Sequence, residues 1–246
     1  MKTIIRLDDF GMTKSINEGI KLVLEKLPVN NISVMTNTSN SIEALRFIKN
    51  KKKICAGLHV NISCGNPLTD SESLINPVTK KFYSSKDINN FSQLNCPFKE
   101  RDLYEEIISQ LQTFKIYSGR LPDYLDLHAV NQPIIYQVMK KVGQEFNIRY
   151  TEDLNNPNII FHHIQFNQYD YYSKHKNIFF LDSIQLNSNK INHFVFHPGF
   201  IDKQLIYLTS LTTGRLCDLN VLLSEEFEYW IKQNEVKYIT FKQINL

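Results

Sequence analysis

Ile4-Ile5-Arg6-Leu7-Asp8-Asp9-Phe10-Gly11, followed by Ser15-Ile16-Asn17-Glu18-Gly19-Ile20, is the stretch that decides the fold class. Thr3 to Leu7 is a short apolar run of strand length, and Ser15 opens a helical period. A strand that passes through a polar turn into a helix is the unit of an α/β fold, and such folds keep their chemistry in the loops after strand C-termini. Two carboxylates end this strand. Taken out of water side by side, they raise one pKa until one proton stays on, unless positive charge accompanies them. A divalent cation inverts that logic, making one Asp a ligand and leaving the other ionised as a base. The plainer alternative is a strand-end Asp capping the next helix, with its neighbour solvated.

The same alternation continues outward from this unit. Strands are expected near Thr3–Leu7, Ile32–Thr36, Ile54–Ile62, Tyr124–Leu127, Ile159–His162, His193–His197 and Tyr238–Phe241. Helices are expected near Ser15–Leu27, Ser41–Lys49, Glu100–Ile116, Pro133–Phe146 and Asp218–Lys232. Within Glu100–Ile116 the apolar set Leu103, Ile107, Leu111 and Phe114 recurs at helical spacing, a core-facing stripe. Asp218 fits the start of a capped helix. The chain of 246 residues matches the length of one α/β barrel, so residues 1–246 are expected to form a single domain. Neither an internal repeat nor a domain linker interrupts it.

Three of the seven histidines lie in strand-like strings: Gly57-Leu58-His59-Val60-Asn61, Leu125-Asp126-Leu127-His128 and Val195-Phe196-His197-Pro198-Gly199-Phe200. In a barrel-like fold, strand ends distant in sequence converge on one rim, where Asp9, His59 and His128 can meet. One carboxylate and two imidazoles leave coordination positions open, which a catalytic metal site requires. Asp126 lies two residues before His128, on the same face of a strand. It is read as an acceptor that orients a ligand His, with direct coordination or a helix cap as alternatives. His197 titrates near neutral pH and suits proton donation; hydrogen bonding to a backbone carbonyl is its plainer use. Arg215 is read as holding Asp8 by charge or reaching a substrate hydroxyl, against the alternative of a solvated surface charge.

These strings resemble the YdjC-like carbohydrate deacetylases, the family that includes chitooligosaccharide (diacetylchitobiose) deacetylase. Arg6-Leu7-Asp8-Asp9-Phe10-Gly11 and Asn17-Glu18-Gly19-Ile20 resemble its A-D-D-F-G and N-x-G-I. Gly57-Leu58-His59-Val60-Asn61-Ile62-Ser63 with Gly65-Asn66-Pro67-Leu68 is similar to G-L-H-L-x-L-T and G-x-P-L. Pro122-Asp123-Tyr124-Leu125-Asp126-Leu127-His128 is similar to P-x-x-L-D-S-H, and His197-Pro198-Gly199-Phe200 to H-P-G-Y. The motifs span nearly the whole chain in order. The resemblance implies a single-domain distorted (β/α) TIM-like barrel that hydrolyses the acetamide of N-acetylglucosamine units in short oligosaccharides. It implies a divalent metal ion, Mg2+ or Zn2+, on Asp9, His59 and His128, with Asp8 as general base. His197 becomes the proton donor to the leaving amine or the group that steadies the oxyanion, and Arg215, Phe10 and Phe200 become substrate contacts. One departure stands out: the family continues as H-x-H-x-H, whereas here Ala129-Val130-Asn131-Gln132-Pro133 follow His128. That departure leaves open a changed substrate or a weakened, sugar-binding or regulatory barrel.

The chemistry stands without the family. An amide hydrolase must make a nucleophile, stabilise a tetrahedral oxyanion and protonate nitrogen. A metal lowers the pKa of bound water from about 16 toward neutrality, an ionised Asp8 takes its proton, and an imidazole supplies the last one. A phosphoesterase on the same residues is disfavoured, because no Gly-rich loop or Arg/Lys cluster awaits a phosphate.

A net charge of +3 gives no argument for nucleic acid, and no run approaches the roughly 18 apolar residues of a membrane span. Cys55, Cys64, Cys96 and Cys217 form no CxxC pair, so reduced thiols are expected. The strand beginning almost at Met1 leaves no room for a signal peptide, which makes a cytoplasmic site with short imported sugars the expectation. Ser63 to Lys99, rich in Asn, Ser and Pro, is expected to form a rim loop or lid growing from His59. The Tyr- and Asn-rich Gln165–Lys176 is a second rim candidate, or a contact in a homodimer.

Overall fold

The computed structural model describes residues 1–150, 156–162, 181 and 184–244. In chain order its elements are β1 (Lys2–Phe10), α1 (Lys14–Lys26), β2 (Asn31–Val34), α2 (Ser41–Ile48), β3 (Cys55–Val60), α3 (Ser85–Asn90) and α4 (Glu100–Ser118). They continue as β4 (Tyr124–Leu127), α5 (Pro133–Glu145), β5 (Arg149–Tyr150), β6 (Ile159–His162), β7 (Ile191–Phe196), α6 (Lys203–Leu208), α7 (Thr213–Leu222), α8 (Glu225–Gln233) and β8 (Lys237–Tyr238). Two compact units share the chain. Met1–Ile32, Lys53–Cys55 and Asn155–Leu246 form the first, and Ser33–Lys52 with Ala56–Leu154 the second. The candidate segment Gln165–Lys176 lies outside the described residues.

In the first unit, β1 pairs in parallel with β7 from Thr3↔Asn192 to Leu7↔Phe196, β7 pairs in parallel with β6, and β8 joins β1 at Lys2 and Thr3. Parallel strands covered on both faces carry continuous apolar runs in place of alternation. Every residue of β1 from Thr3 to Phe10 is accordingly buried. α1 starts where Thr13 Oγ1 accepts from the Ile16 N–H, and it buries Ile16, Ile20 and Val23 along one stripe. Phe194, Phe196, Phe227 and Trp230 pack as stacked and edge-on rings. Each of the buried Phe side chains stabilises the unit by roughly 1.5–3 kcal/mol. The single helix expected over Asp218–Lys232 is two helices, because Ser224 interrupts it and caps α8 by accepting from the Phe227 N–H. Asp218 consequently lies inside α7 and caps nothing.

In the second unit, β3, β4 and β5 run parallel, with His59↔Asp126 opposite each other in the register. Gly57 makes room for Tyr124: a Cβ on Gly57 would lie 2.1 Å from the Tyr124 ring. That ring's hydroxyl hydrogen-bonds Ser33 Oγ at 3.0 Å. The stripe Leu103, Ile107, Leu111 and Phe114 of α4 is buried as its spacing predicts, and Gly119 ends the helix at φ 77°.

Ser63 to Lys99 carries more structure than its composition suggests. A 3₁₀ turn at Glu72–Leu74, an antiparallel bridge between Ile75 and Phe82, and α3 with a Ser84/Asp87 capping box all lie within it. Its first part is tied to α4 through Glu106. Glu106 Oε2 accepts from the Leu68 N–H, the Thr69 N–H and Thr69 Oγ1, and Oε1 accepts from Gln110 Nε2. Burial pushes the Glu106 carboxyl above its ordinary value even against these donors.

A raised carboxyl pKa in the fold means that the native state holds the proton more tightly than the unfolded chain. Stability from this group is therefore fully present below about pH 4.5 and is lost as pH rises through the folded value. We expect the stability advantage of wild type over Glu106→Gln, measured by urea denaturation, to shrink as pH rises from 4.5. An advantage that grows with pH would contradict this assignment.

Candidate metal centre and its acid–base groups

Asp8 and Asp9 close β1, and the positive charge beside them comes first from arginines. Arg6 and Asp8, two residues apart on a strand, share a face. Arg6 Nε donates to Asp8 Oδ1 at 2.7 Å and its terminal nitrogen to Oδ2 at 2.9 Å. Arg215, in the first turn of α7 and only 1% exposed, donates to Asp9 Oδ2 at 2.6 Å. Sequence reasoning thus misplaced Arg215: it is neither a surface charge nor the partner of Asp8, and its contact is Asp9. Arg6 was missed altogether, although its i, i+2 spacing to Asp8 is the signal that finds it. Asp9 also holds a left-handed backbone at φ 69°, a strained conformation of the kind that collects at functional sites.

The neighbouring loops hold this strand end in place. Asn17 Oδ1 accepts from the Gly11 N–H at 2.7 Å, fixing the turn after the carboxylates to α1. The register of β1 with β7 ends at Leu7↔Phe196, so Asp8 and His197 follow at adjacent C-terminal ends. His197 is half-buried, and its backbone N–H donates to Asp218 Oδ2 at 2.7 Å. Asp218 therefore supports the His197 turn, a role its sequence context hid. The turn continues with the Gly199 N–H on the Arg215 carbonyl and the Phe200 N–H on the Ser15 carbonyl. Gly19 and Gly199 meet here, which explains both motif glycines: a Cβ on Gly19 would lie 2.7 Å from Gly199 Cα. Phe10 is fully buried, so it is a packing residue and offers no face to a sugar, whereas Phe200 is 41% exposed.

The second unit holds His59 and His128. The parallel register puts Asp126 opposite His59, and His59 Nδ1 lies 2.8 Å from Asp126 Oδ2. A carboxylate there accepts the Nδ1 proton and leaves Nε2 as a lone-pair donor. That nitrogen faces Nδ1 of His128 across 3.2 Å, with the two rings edge to face. Both imidazoles and Asp126 are buried. Two imidazole nitrogens aimed at one point share a proton when alone and can both turn lone pairs to a cation. The partner of Asp126 is therefore His59 across the strand pair, not His128 two residues on, the neighbour that its spacing pointed to. Ala129, directly after His128, has a left-handed backbone at φ 55°.

Two substitutions test these supports. Gly19→Ala places its methyl against backbone, so we expect a loss of about 1–3 kcal/mol in urea denaturation. Arg6→Met leaves a buried carboxylate without its fork, so we expect a loss of about 3–5 kcal/mol; a loss under about 1 kcal/mol would mean that the pair is effectively solvated.

Comparison with known proteins places the whole chain. The carbohydrate deacetylase 2 of Listeria innocua is 25% identical, with 99% of each chain aligned. A crystal structure of a candidate cellobiose-phosphate cleavage protein from Enterococcus faecalis superposes with a TM-score of 0.78 at 16% identity, covering 100% of this chain and 99% of that one. A family 4 acetyl xylan esterase from Clostridium thermocellum, solved with a cobalt ion, superposes at 0.52 and 9% identity over 99% of this chain and 89% of that one. At these identities the structures establish a shared α/β fold, the class expected from the strand–helix alternation. Among the described residues no helix is long and apolar enough to cross a membrane. Its motifs run in order through both units, and the YdjC-like protein model matches residues 2–233, so the chain belongs to the YdjC-like family.

Proposed function

We propose that this protein is a metal-dependent hydrolase that removes the N-acetyl group from N-acetylglucosamine units of short oligosaccharides. The observation that carries the reading is the His59–His128 nitrogen pair, 3.2 Å apart, with Asp126 Oδ2 2.8 Å from the other ring nitrogen of His59. A chain of this family whose relatives are carbohydrate deacetylases has little other use for two buried, mutually facing imidazoles. Asp9 is the third ligand in this reading, and all three side chains are buried and offer one ligand atom each. Two imidazoles with one carboxylate favour Zn2+ or Co2+ over Mg2+, which prefers oxygen.

A divalent cation held by Asp9, His59 and His128 would supply Lewis acidity toward water and the acetyl carbonyl. The remaining steps belong to side chains. Asp8, kept ionised and aimed by the Arg6 fork, takes the proton of the attacking water. Arg215 holds the orientation of Asp9. His197, half-buried on a turn fixed by Asp218, protonates the leaving amine. Phe200 offers an exposed aromatic face on the same turn for the apolar side of a pyranose ring.

Acetate release from diacetylchitobiose is the test. Chelator-treated protein is expected to be inactive and to regain activity with Zn2+ or Co2+. Asp8→Asn is expected to lower kcat about 10³-fold while still binding metal, and His59→Ala or His128→Ala to lose the metal. Tight sugar binding with no acetate under any of these metals would turn the reading into that of a sugar-binding protein.

A further inference from the structure

The segment 63–99 is bonded to the loop that carries His128. Asn89 Oδ1 accepts from the Asn131 N–H at 2.7 Å, and Asn89 Nδ2 donates to the Ala129 carbonyl at 3.2 Å. One side chain thus brackets the left-handed residue that follows His128. Gln132, buried, donates through Nε2 to the carbonyls of Ile88 at 2.5 Å and Phe91 at 2.9 Å, taking up the open end of α3. The piece that carries Asn89 has contacts of its own: the Ser84/Asp87 box caps α3, and Phe91 packs edge to face on Tyr83 and on Phe98. At its other end the segment leaves β3 through Asn61, whose side chain accepts from the Ser63 and Cys64 N–H groups and donates to the Cys64 carbonyl.

We propose that residues 63–99 form a fixed strap that positions His128, with Asn89 holding Ala129 in the left-handed conformation from which the imidazole is aimed at His59. The inference rests on the reading of His128 as a metal ligand. It also accounts for the run Ala129-Val130-Asn131-Gln132. Where the family pattern places further histidines, this chain has a valine and a glutamine, and the glutamine ties the loop to the strap. A left-handed alanine costs free energy that some contact must supply, whereas glycine takes the same conformation at no steric cost. Asn89 is a positioning residue in this scheme; it touches neither metal nor sugar.

The test uses the full chain, stripped with chelator and titrated with Co2+ by calorimetry, with the visible absorption of the bound ion recorded. Asn89→Ala is expected to weaken Co2+ binding about fivefold, to alter the absorption of the bound ion, and to speed hydrogen exchange at the Asn131 amide. In an A129G background the same substitution should change Co2+ affinity less than about twofold, since the strap then has no strained residue to hold. Unchanged affinity in Asn89→Ala, or an equal loss in both backgrounds, overturns the strap. A fall in Tm with Co2+ affinity intact also overturns it, because a merely structural contact predicts that result. Wild type that binds no Co2+ overturns the metal reading itself, and that outcome is visible before any variant is made.

Discussion

Two adjacent carboxylates sit in the interior of the first unit, each beside a guanidinium group. Ionised Asp8 and Asp9, removed from water without positive partners, would drive protons onto themselves, and a protonated Asp8 accepts no proton from water. Arg6 prevents this for Asp8 by taking both oxygens, and Arg215 does so for Asp9 through one. The asymmetry matches the proposed division of labour. A carboxylate gripped on both oxygens is held in orientation, as a base requires, while a one-oxygen contact fixes a ligand without enclosing it. Charge compensation comes at a structural cost, because each arginine must itself be buried, and the surrounding loops are built to that end. Arg215 sits in the first turn of α7, its carbonyl receives the Gly199 N–H, and the His197 turn thereby shares a support with Asp9.

The imidazole half obeys a different constraint, set by register. In a parallel pair, the residue opposite His59 is decided by the alignment of β3 on β4, and that residue is Asp126. A slip of one position would send the carboxylate to the other face and free the tautomer of His59. Gly57 and Tyr124 guard against such a slip, since the ring of Tyr124 occupies the space a side chain at 57 would need and anchors its hydroxyl on Ser33. A packing contact two residues from His59 thus protects a proton assignment.

Much of this was legible in the chain. Continuous apolar runs mark parallel strands, and the α4 stripe and the histidines at strand ends follow from periodicity alone, whereas the pairing of Asp126 with His59 needs the β3/β4 register. What stayed hidden depended on partners distant in sequence. Nothing local marks Arg215 as buried, because its burial is decided by Asp9, 206 positions away. Asp218 reads as a helix cap until the His197 N–H, 21 residues earlier, claims it. Phe10 carries a motif yet packs inward, since a residue on a strand covered on both faces has no solvent side to choose. The segment 63–99 looked irregular because its order comes from single polar side chains, Glu106, Asn89 and Gln132, binding backbone, and such contacts leave no periodic trace.

That last point bears on how a family's motif can change without loss of the site. Histidines that follow a ligand histidine can stiffen its loop or touch substrate, and a chain that drops them must replace the stiffness or give up the geometry. Here the replacement is hydrogen bonding between the loop and segment 63–99: Asn89 satisfies the Ala129 carbonyl and the Asn131 N–H, and Gln132 in turn satisfies the Ile88 and Phe91 carbonyls. Because the bonds are to main chain, they constrain where His128 points while leaving the side chains at 129 to 131 free to vary. A strap of this kind separates two demands that a histidine-rich motif combines, holding the ligand and meeting the substrate. The second demand then falls on other surfaces of the protein, and the turn bearing His197, the proposed proton donor, offers the exposed ring of Phe200 for it.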